Sequence, residues 1–253
     1  MDARRSWAEE GAAVEPPVDP RGPRGLAGLR AVAGALAAAL LLRAASYAAM
    51  TAAAIWNERR AAPPLPDAVL GVVPYVDAVA RWNYVLWLAL YVPLAGALLW
   101  TAPRRFVRFT VTGALVSLAR GATLLMTGLG APAPLVGGAG IAGRSFGEVL
   151  GSLLSPWAIF VDGAMRAYLT QDLFFSGHTA TTFLLVLYAW PSRRLRLPAL
   201  AAHVVVVLSV FLAHLHYAID VAGAYAFTLA IFALREGWPP GWSHGGCAPA
   251  PPS

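Results

Sequence analysis

The segment WNYVLWLALYVPLAGALLWT, residues 82–101, determines the class of fold. It contains no charged side chain, and Trp and Tyr residues lie close to its ends. A helix needs about 20 mainly apolar residues to cross a bilayer, and aromatic side chains favour the two membrane–water interfaces. Residues 82–101 are therefore predicted to form a transmembrane helix.

Similar apolar runs recur along the chain of 253 residues. Hydrophobic residues make up 58% of it and charged residues only 13%, whereas a soluble domain carries about 25% charged residues. The composition predicts an all-α, polytopic membrane protein with about six transmembrane helices. The six predicted spans cover residues 32–56, 82–101, 106–129, 176–190, 197–214 and 216–234.

The chain divides into three predicted regions. Residues 1–25 are polar and rich in Pro, Gly and charge, which predicts a disordered cytosolic tail. Residues 26–236 are predicted to form a six-helix transmembrane catalytic domain, and residues 237–253 a second disordered cytosolic tail. Arg43 lies inside the first predicted span. Either its side chain snorkels to the interface, or the span begins later than residue 32.

The arginines set the predicted orientation. The chain has no lysine, and short connections at residues 104–108 and 193–196 are rich in arginine. Because such loops stay cytosolic, residues 176–179 and 214–220 are predicted to meet on the exoplasmic face, lumenal or periplasmic. The membrane would be a Golgi or plasma membrane in a eukaryotic host and the inner membrane in a bacterium. The net charge of +6 is spread between apolar segments, so no nucleic acid is expected as a partner.

Two motifs at that face contain the side chains expected to react. The first, DLFFSGHT at residues 172–179, contains His178; the second, HLHYAID at residues 214–220, contains His216 and Asp220. His216 and Asp220 are four residues apart and would share one face of a helix. A carboxylate bonded to one imidazole nitrogen fixes the tautomer and leaves the other nitrogen as a nucleophile. His178 would supply the proton to a leaving alkoxide.

Four stretches of the chain together resemble the sphingomyelin synthase family, within the wider PAP2-like superfamily of lipid phosphatases and transferases. Two of them are the histidine motifs. The other two are Pro63 to Asp67, preceded by Asn57-Glu58-Arg59, and Arg104-Arg105-Phe106 followed by Arg120-Gly121, Thr123, Thr127 and Pro132. Their order and spacing among six spans make the resemblance specific.

The resemblance implies a PAP2-like helical bundle that moves a phospho-headgroup from a glycerophospholipid donor to a ceramide-like acceptor and releases diacylglycerol. It implies that His216 attacks phosphorus to form a phosphohistidine, that Asp220 orients His216, and that His178 acts as acid and then as base. The substrate-binding residues it implies are Arg120, Asp172, Ser176 and Gly177. We expect no metal and no cofactor, because a two-step exchange through histidine needs none.

The headgroup stays open between phosphocholine, phosphoethanolamine and phosphoinositol. The sequence departs from the family pattern at Thr170-Gln171, where Cys-Gly is usual, and at Ala218, where Thr is frequent. Neither departure touches the three reactive residues, and both bear on the headgroup that is accepted. The acceptor alcohol and the oligomeric state are also left open.

Two other functions compete with the transferase. A lipid phosphate phosphatase of the same superfamily places a Ser-Arg pair just before its second histidine, whereas this chain has Ser209-Val210-Phe211. The missing guanidinium favours a phosphodiester substrate over a phosphomonoester dianion. A non-enzymatic lipid-binding or transport protein is the third hypothesis. It is disfavoured because transporter sites lie near mid-membrane, whereas these polar residues gather at one surface.

Several polar residues have two interpretations. Asp172 either contacts the headgroup or caps a loop, and Arg120 either contacts the phosphate or snorkels to the outer interface. His214 is predicted to support the site without reacting. His203, among apolar neighbours, is predicted to be packed or hydrogen-bonded.

Overall fold

The computed structural model describes residues 25–155 and 169–237, and in these residues every regular element is helical. The helices are α1 Gly25–Glu58, α2 Asp77–Thr101, α3 Pro103–Met126, α4 Phe146–Leu154, α5 Gly177–Ala189, α6 Arg193–Leu212 and α7 Ala218–Glu236, with a short 3₁₀ helix at Ala139–Ile141. The predicted all-α fold class is confirmed. Apart from Gly25 and Gly237, the two predicted tails lie outside the described residues.

In the part of the chain that the structure describes, five helices are long and apolar enough to cross a membrane, namely α1, α2, α3, α6 and α7. Helix α5 forms where the fourth span is predicted, but its 13 residues measure about 20 Å at 1.5 Å per residue. That is shorter than a hydrocarbon core of about 30 Å. Leu184 and Leu185 are almost completely buried, so α5 packs inside the bundle.

Helix α1 is continuous through Arg43. The guanidinium does not need to snorkel, because Arg43 Nη1 donates to Ser117 Oγ of α3 at 2.7 Å. The two helices approach closely where α3 has Gly121. A Cβ built on Gly121 would lie 3.2 Å from Met50 Cα, so glycine permits this packing.

Helix α3 lies at the centre of the bundle and contacts α1, α2, α5 and α7. Its Phe109 and Val116 join the main hydrophobic core with residues of the other helices. That core includes Leu98, Phe175, Leu184, Tyr188 and Phe232. Burial of these side chains fixes the positions of the helices around α3.

Loops from distant parts of the chain meet at one end of the bundle. The backbone N–H of Val76, before α2, donates to the carbonyl of Leu212 at the end of α6 (2.8 Å). The backbone N–H of Ala218, at the start of α7, donates to Asp67 Oδ2 (2.6 Å). The ends of α1, α3 and α6 and the starts of α2, α5 and α7 therefore share one end of the protein, called here the site end.

Candidate active site

His216 and Asp220 lie side by side at the site end. His216 Nδ1 is 3.3 Å from Asp220 Oδ2, and Asp220 is completely buried. Helix α7 begins only at Ala218, so His216 lies in the turn before the helix and not on its face as expected. Asp220 reaches back over the first helical turn, and this geometry occupies Nδ1 and leaves Nε2 of His216 for chemistry.

Asp220 also fixes the backbone around it. Its Oδ2 accepts the N–H of Tyr217 at 2.9 Å, and its Oδ1 accepts the N–H of Phe174 at 3.1 Å. Its own backbone carbonyl accepts the N–H of Ser176 at 3.0 Å. These hydrogen bonds hold the carboxylate in one orientation, which suits a residue that orients an imidazole.

His178 lies in the first turn of α5 and faces the second histidine. The ring centroids of His178 and His216 are 6.4 Å apart, with planes inclined at 61°. Trp87 and Tyr84 of α2 meet the His178 ring edge-on at centroid distances of 5.5 and 6.4 Å. Within the described residues, the buried Nε2 of His178 has no hydrogen-bond partner. The structure thus brings His178, His216 and Asp220 together.

Ser176 and Gly177, predicted to bind substrate, serve the start of α5 in this structure. Ser176 is fully buried and caps the helix, because its Oγ accepts the N–H of Thr179 at 3.3 Å. Gly177 lies against a guanidinium: a Cβ built there would be 3.3 Å from Arg120 Cζ. A direct contact of either residue with substrate stays a prediction.

Arg120 is buried and holds the segment that leads into α5. Its Nη2 forms an ion pair with Asp172 Oδ2 at 2.9 Å and donates to the Asp172 carbonyl at 3.0 Å. Its Nε donates to the Phe175 carbonyl at 2.6 Å, and Nη1 lies 2.8 Å from Met50 Sδ. Arg120 therefore does not snorkel to the interface. The ion pair makes Asp172 a partner of Arg120, and a headgroup contact of either remains a prediction.

Glu58 is a buried carboxylate whose part in the site the sequence did not reveal. Its Oε1 accepts from Thr170 Oγ1 (2.7 Å) and from the N–H of Gly138 (2.8 Å), and its Oε2 accepts the N–H of Gln171 (2.6 Å). Neighbouring Asn57 donates from Nδ2 to the Gln171 carbonyl at 2.7 Å. The end of α1 thus fixes the two residues that precede Asp172. The sequence signal for this role is the polar pair Asn57-Glu58 at the end of a long apolar run.

Tyr217 and Asp67 connect the loop between α1 and α2 to α7. Tyr217 Oη donates to the Gly130 carbonyl at 2.9 Å and accepts the N–H of Leu65 at 3.0 Å. Burial raises the pKa of the Tyr217 phenol, so it keeps the proton that it donates. Asp67 caps α7 by accepting the backbone N–H of Ala218.

The two remaining described histidines are held by fixed partners. His214 Nδ1 lies 2.7 Å from the Ala133 carbonyl, and its Nε2 lies 3.0 Å from the Val73 carbonyl, so His214 ties two loops together. His203 is bonded to Thr182 and Tyr225, at 2.8 and 2.7 Å. Both placements agree with the supporting roles predicted for them. In residues 25–155 and 169–237, no three His, Cys, Asp or Glu side chains are grouped so that they could hold a metal ion.

Comparison with known proteins gives one family match. The model of the PAP2 superfamily C-terminal domain matches residues 171–236, which contain His178, His216 and Asp220. No curated protein matches the chain. The match supports, at a coarse level, a lipid enzyme of the phosphatase or phosphotransferase type. The helical membrane fold and the matched C-terminal region together support membership of the PAP2-like superfamily.

Proposed function

We propose that this protein is a phospholipid headgroup transferase that moves a phospho-headgroup from a glycerophospholipid to a ceramide-like alcohol. One observation carries the proposal. His216 is held by Asp220 through Nδ1 and faces His178 across 6.4 Å between ring centroids. Two histidines on opposite sides of one phosphorus atom suit a two-step transfer of the phospho-headgroup. One histidine is the nucleophile, and the other donates and then accepts the proton.

In the first step, His216 Nε2 attacks the phosphorus of the donor. The P–N bond forms as the bond between phosphorus and the glycerol oxygen breaks, and protonated His178 gives its proton to that oxygen. Diacylglycerol leaves, and the headgroup phosphate remains on His216. Asp220 stabilises the positive charge that develops on the His216 ring, as a buried carboxylate does beside other catalytic histidines.

In the second step, the acceptor alcohol replaces diacylglycerol. Neutral His178 takes the proton of the acceptor hydroxyl as its oxygen attacks phosphorus. The P–N bond breaks, and His216 returns to its neutral form with Nδ1 still bonded to Asp220. Trp87 and Tyr84 cover His178, and this cover favours a lipid alcohol over water as the acceptor.

The charges around the histidines favour a phosphodiester over a phosphomonoester. A phosphomonoester dianion needs paired guanidinium groups. The guanidinium beside His178 belongs to Arg120, which is already ion-paired with Asp172. At the position where a phosphatase places its arginine, Ser209 Oγ accepts from Asn83 Nδ2 at 2.9 Å and Val210 is fully buried. A substrate with a single negative charge fits this setting better.

A product assay tests the proposal. Purified protein in mixed micelles receives fluorescent ceramide and, in separate tubes, phosphatidylcholine, phosphatidylethanolamine, phosphatidylinositol or phosphatidic acid. We expect a new phosphosphingolipid with one of the diester donors, and its loss in His216→Ala. Free phosphate from phosphatidic acid without a ceramide product would overturn the transferase in favour of the phosphatase.

His203→Gln provides the control for this assay. Its bonds to Thr182 and Tyr225 place it in the bundle and not at the reacting groups. We expect this variant to retain most of the turnover, so that loss in His216→Ala reports the nucleophile and not the mere removal of a histidine.

A further inference from the structure

A second polar pocket lies at the site end, beside the segment that leads into the histidine motif. Its volume is about 640 Å³, and it lies between the end of α1 and the loop before α4. Arg59, Arg60 and Arg144 line it, together with Glu58 and Gln171. None of the three arginines belongs to the proposed transfer chemistry.

The guanidinium groups of Arg59 and Arg60 are held in place. Arg59 Nη2 donates to the Arg144 carbonyl at 3.0 Å, and Arg59 Cζ lies 6.0 Å from the ring centroid of Phe146. Arg60 Nη1 donates to Asn57 Oδ1 and to the Leu125 carbonyl, both at 3.2 Å. Within the described residues these bonds use one terminal nitrogen of each arginine. A guanidinium has five N–H donors, so each of these two retains donors in a fixed orientation.

The balance of charge favours an anion. Arg59 and Arg60 stand beside one lining carboxylate, that of Glu58, which is 2% exposed. The Glu58 oxygens already accept from Thr170 Oγ1 and from the backbone N–H groups of Gly138 and Gln171. The carboxylate is thus turned towards its own backbone donors and competes little for Arg59 and Arg60.

The position of the pocket indicates which anions reach it. Trp56, one turn before Arg60, is 63% exposed, and aromatic side chains of this kind mark the membrane–water interface. Arg59 and Arg60 are themselves exposed. The pocket is therefore at the level of the lipid headgroups and is also open to water.

We propose that this pocket is a second anion site, which binds the phosphate group of an acidic phospholipid or free phosphate. Phosphate oxygens match the fork of a guanidinium in a bidentate way, and two adjacent arginines with fixed planes supply two such forks. This site is separate from the histidines, and its occupancy does not depend on turnover.

Arginine footprinting tests the proposal residue by residue. The inactive His216→Ala protein in neutral detergent is modified with phenylglyoxal, and the rate at each arginine is measured by mass spectrometry. We expect dioctanoyl phosphatidylglycerol to slow modification of Arg59 and Arg60 by roughly fivefold or more. Arg81 is the internal control, since it is exposed at the site end and paired with Asp77. Dioctanoylglycerol, which has the same chains and no phosphate, should protect none of the three.

Inorganic phosphate distinguishes the two sources of the anion. Protection by phosphate alone assigns the site to free phosphate, whereas protection only by phosphatidylglycerol assigns it to a lipid headgroup. Arg60→Gln should then abolish most of the protection at Arg59. The proposal is overturned if neither probe protects Arg59 and Arg60, or if Arg81 is protected to the same extent.

Discussion

The carboxylate of Asp220 lies 3.3 Å from Nδ1 of His216 and at the same time accepts the backbone N–H of Phe174 at 3.1 Å. Phe174 precedes Asp220 by 46 residues and belongs to the motif at residues 172–179 that contains His178. One buried carboxylate therefore fixes the second histidine and the backbone that leads to the first. The distance between the two histidines depends on Asp220.

Asp220→Asn should reduce turnover by roughly a thousandfold or more, as loss of the charged partner does for other catalytic histidines. The amide is close in shape but cannot stabilise positive charge on His216, and it accepts through one oxygen only. Turnover of purified protein and its thermal unfolding together measure the effect. Asp77→Asn is the matched control, because Asp77 is exposed and paired with Arg81. Unchanged turnover in Asp220→Asn would remove Asp220 from the mechanism.

Gly177→Ala should lower both stability and activity. The added Cβ would lie 3.3 Å from Arg120 Cζ, and Arg120 cannot retreat without losing its bonds to Phe175 and Asp172. Overpacking of this kind costs about 1–3 kcal/mol. Gly147→Ala in α4 is the control, since a Cβ there meets no atom within 4 Å. A Gly177→Ala protein as stable and active as the unmodified one would contradict this account of the glycine.

Glu58→Gln should destabilise the site end by about 1–3 kcal/mol, the cost of leaving buried donors without an acceptor. Oε1 and Oε2 both accept, so the amide NH₂ must face either the Gln171 N–H or the Thr170–Gly138 pair. Hydrogen exchange at Gln171 and thermal unfolding measure the loss. Glu148→Gln is the control variant, because Glu148 is an exposed capping residue of α4. Equal protection of Gln171 in both variants would show that Glu58 does not hold this segment.

The exoplasmic position of the site end can be tested by cysteine labelling. Ser176 is fully buried and is therefore unsuitable for labelling. Val72, in the loop between α1 and α2, is 82% exposed. In a Cys247→Ser background expressed in a bacterium, a cysteine at Val72 should react with an impermeant reagent in intact cells. A cysteine at Arg194, in the first turn of α6, should react only after permeabilisation. The opposite pattern would reverse the proposed orientation.

The sequence predicts the helices well because apolar length and interfacial aromatic residues act locally. Residues 82–101 fall entirely within α2, and each of the other predicted spans overlaps a helix. Helix α5 is the exception, because its 13 residues are too few to span the bilayer and it is buried inside the bundle instead. The hydrogen bond of Arg43 was not predictable from the local sequence, because its partner Ser117 lies 74 residues away.

The site was predictable only where its residues are close in sequence. His216 and Asp220 are near in sequence, so their contact was predictable, although it forms across the turn before α7 and not along a helix face. The contacts of Glu58 with Gln171 and of Asp67 with Ala218 join residues separated by 113 and 151 positions. Nothing in the local pattern identifies such partners. The same holds for the ion pair between Arg120 and Asp172, which only the packing of α3 against this segment creates.

The most direct test of the central claim is to trap the covalent intermediate. Donor phospholipid with an isotope-labelled headgroup phosphate is mixed with protein in the absence of acceptor, quenched in base and digested for mass spectrometry. We predict the headgroup phosphate on His216, its absence in His216→Ala, and its disappearance when ceramide is added before the quench. Labelled product formed by the active protein without any label on His216, or with the label on another residue, would contradict the account.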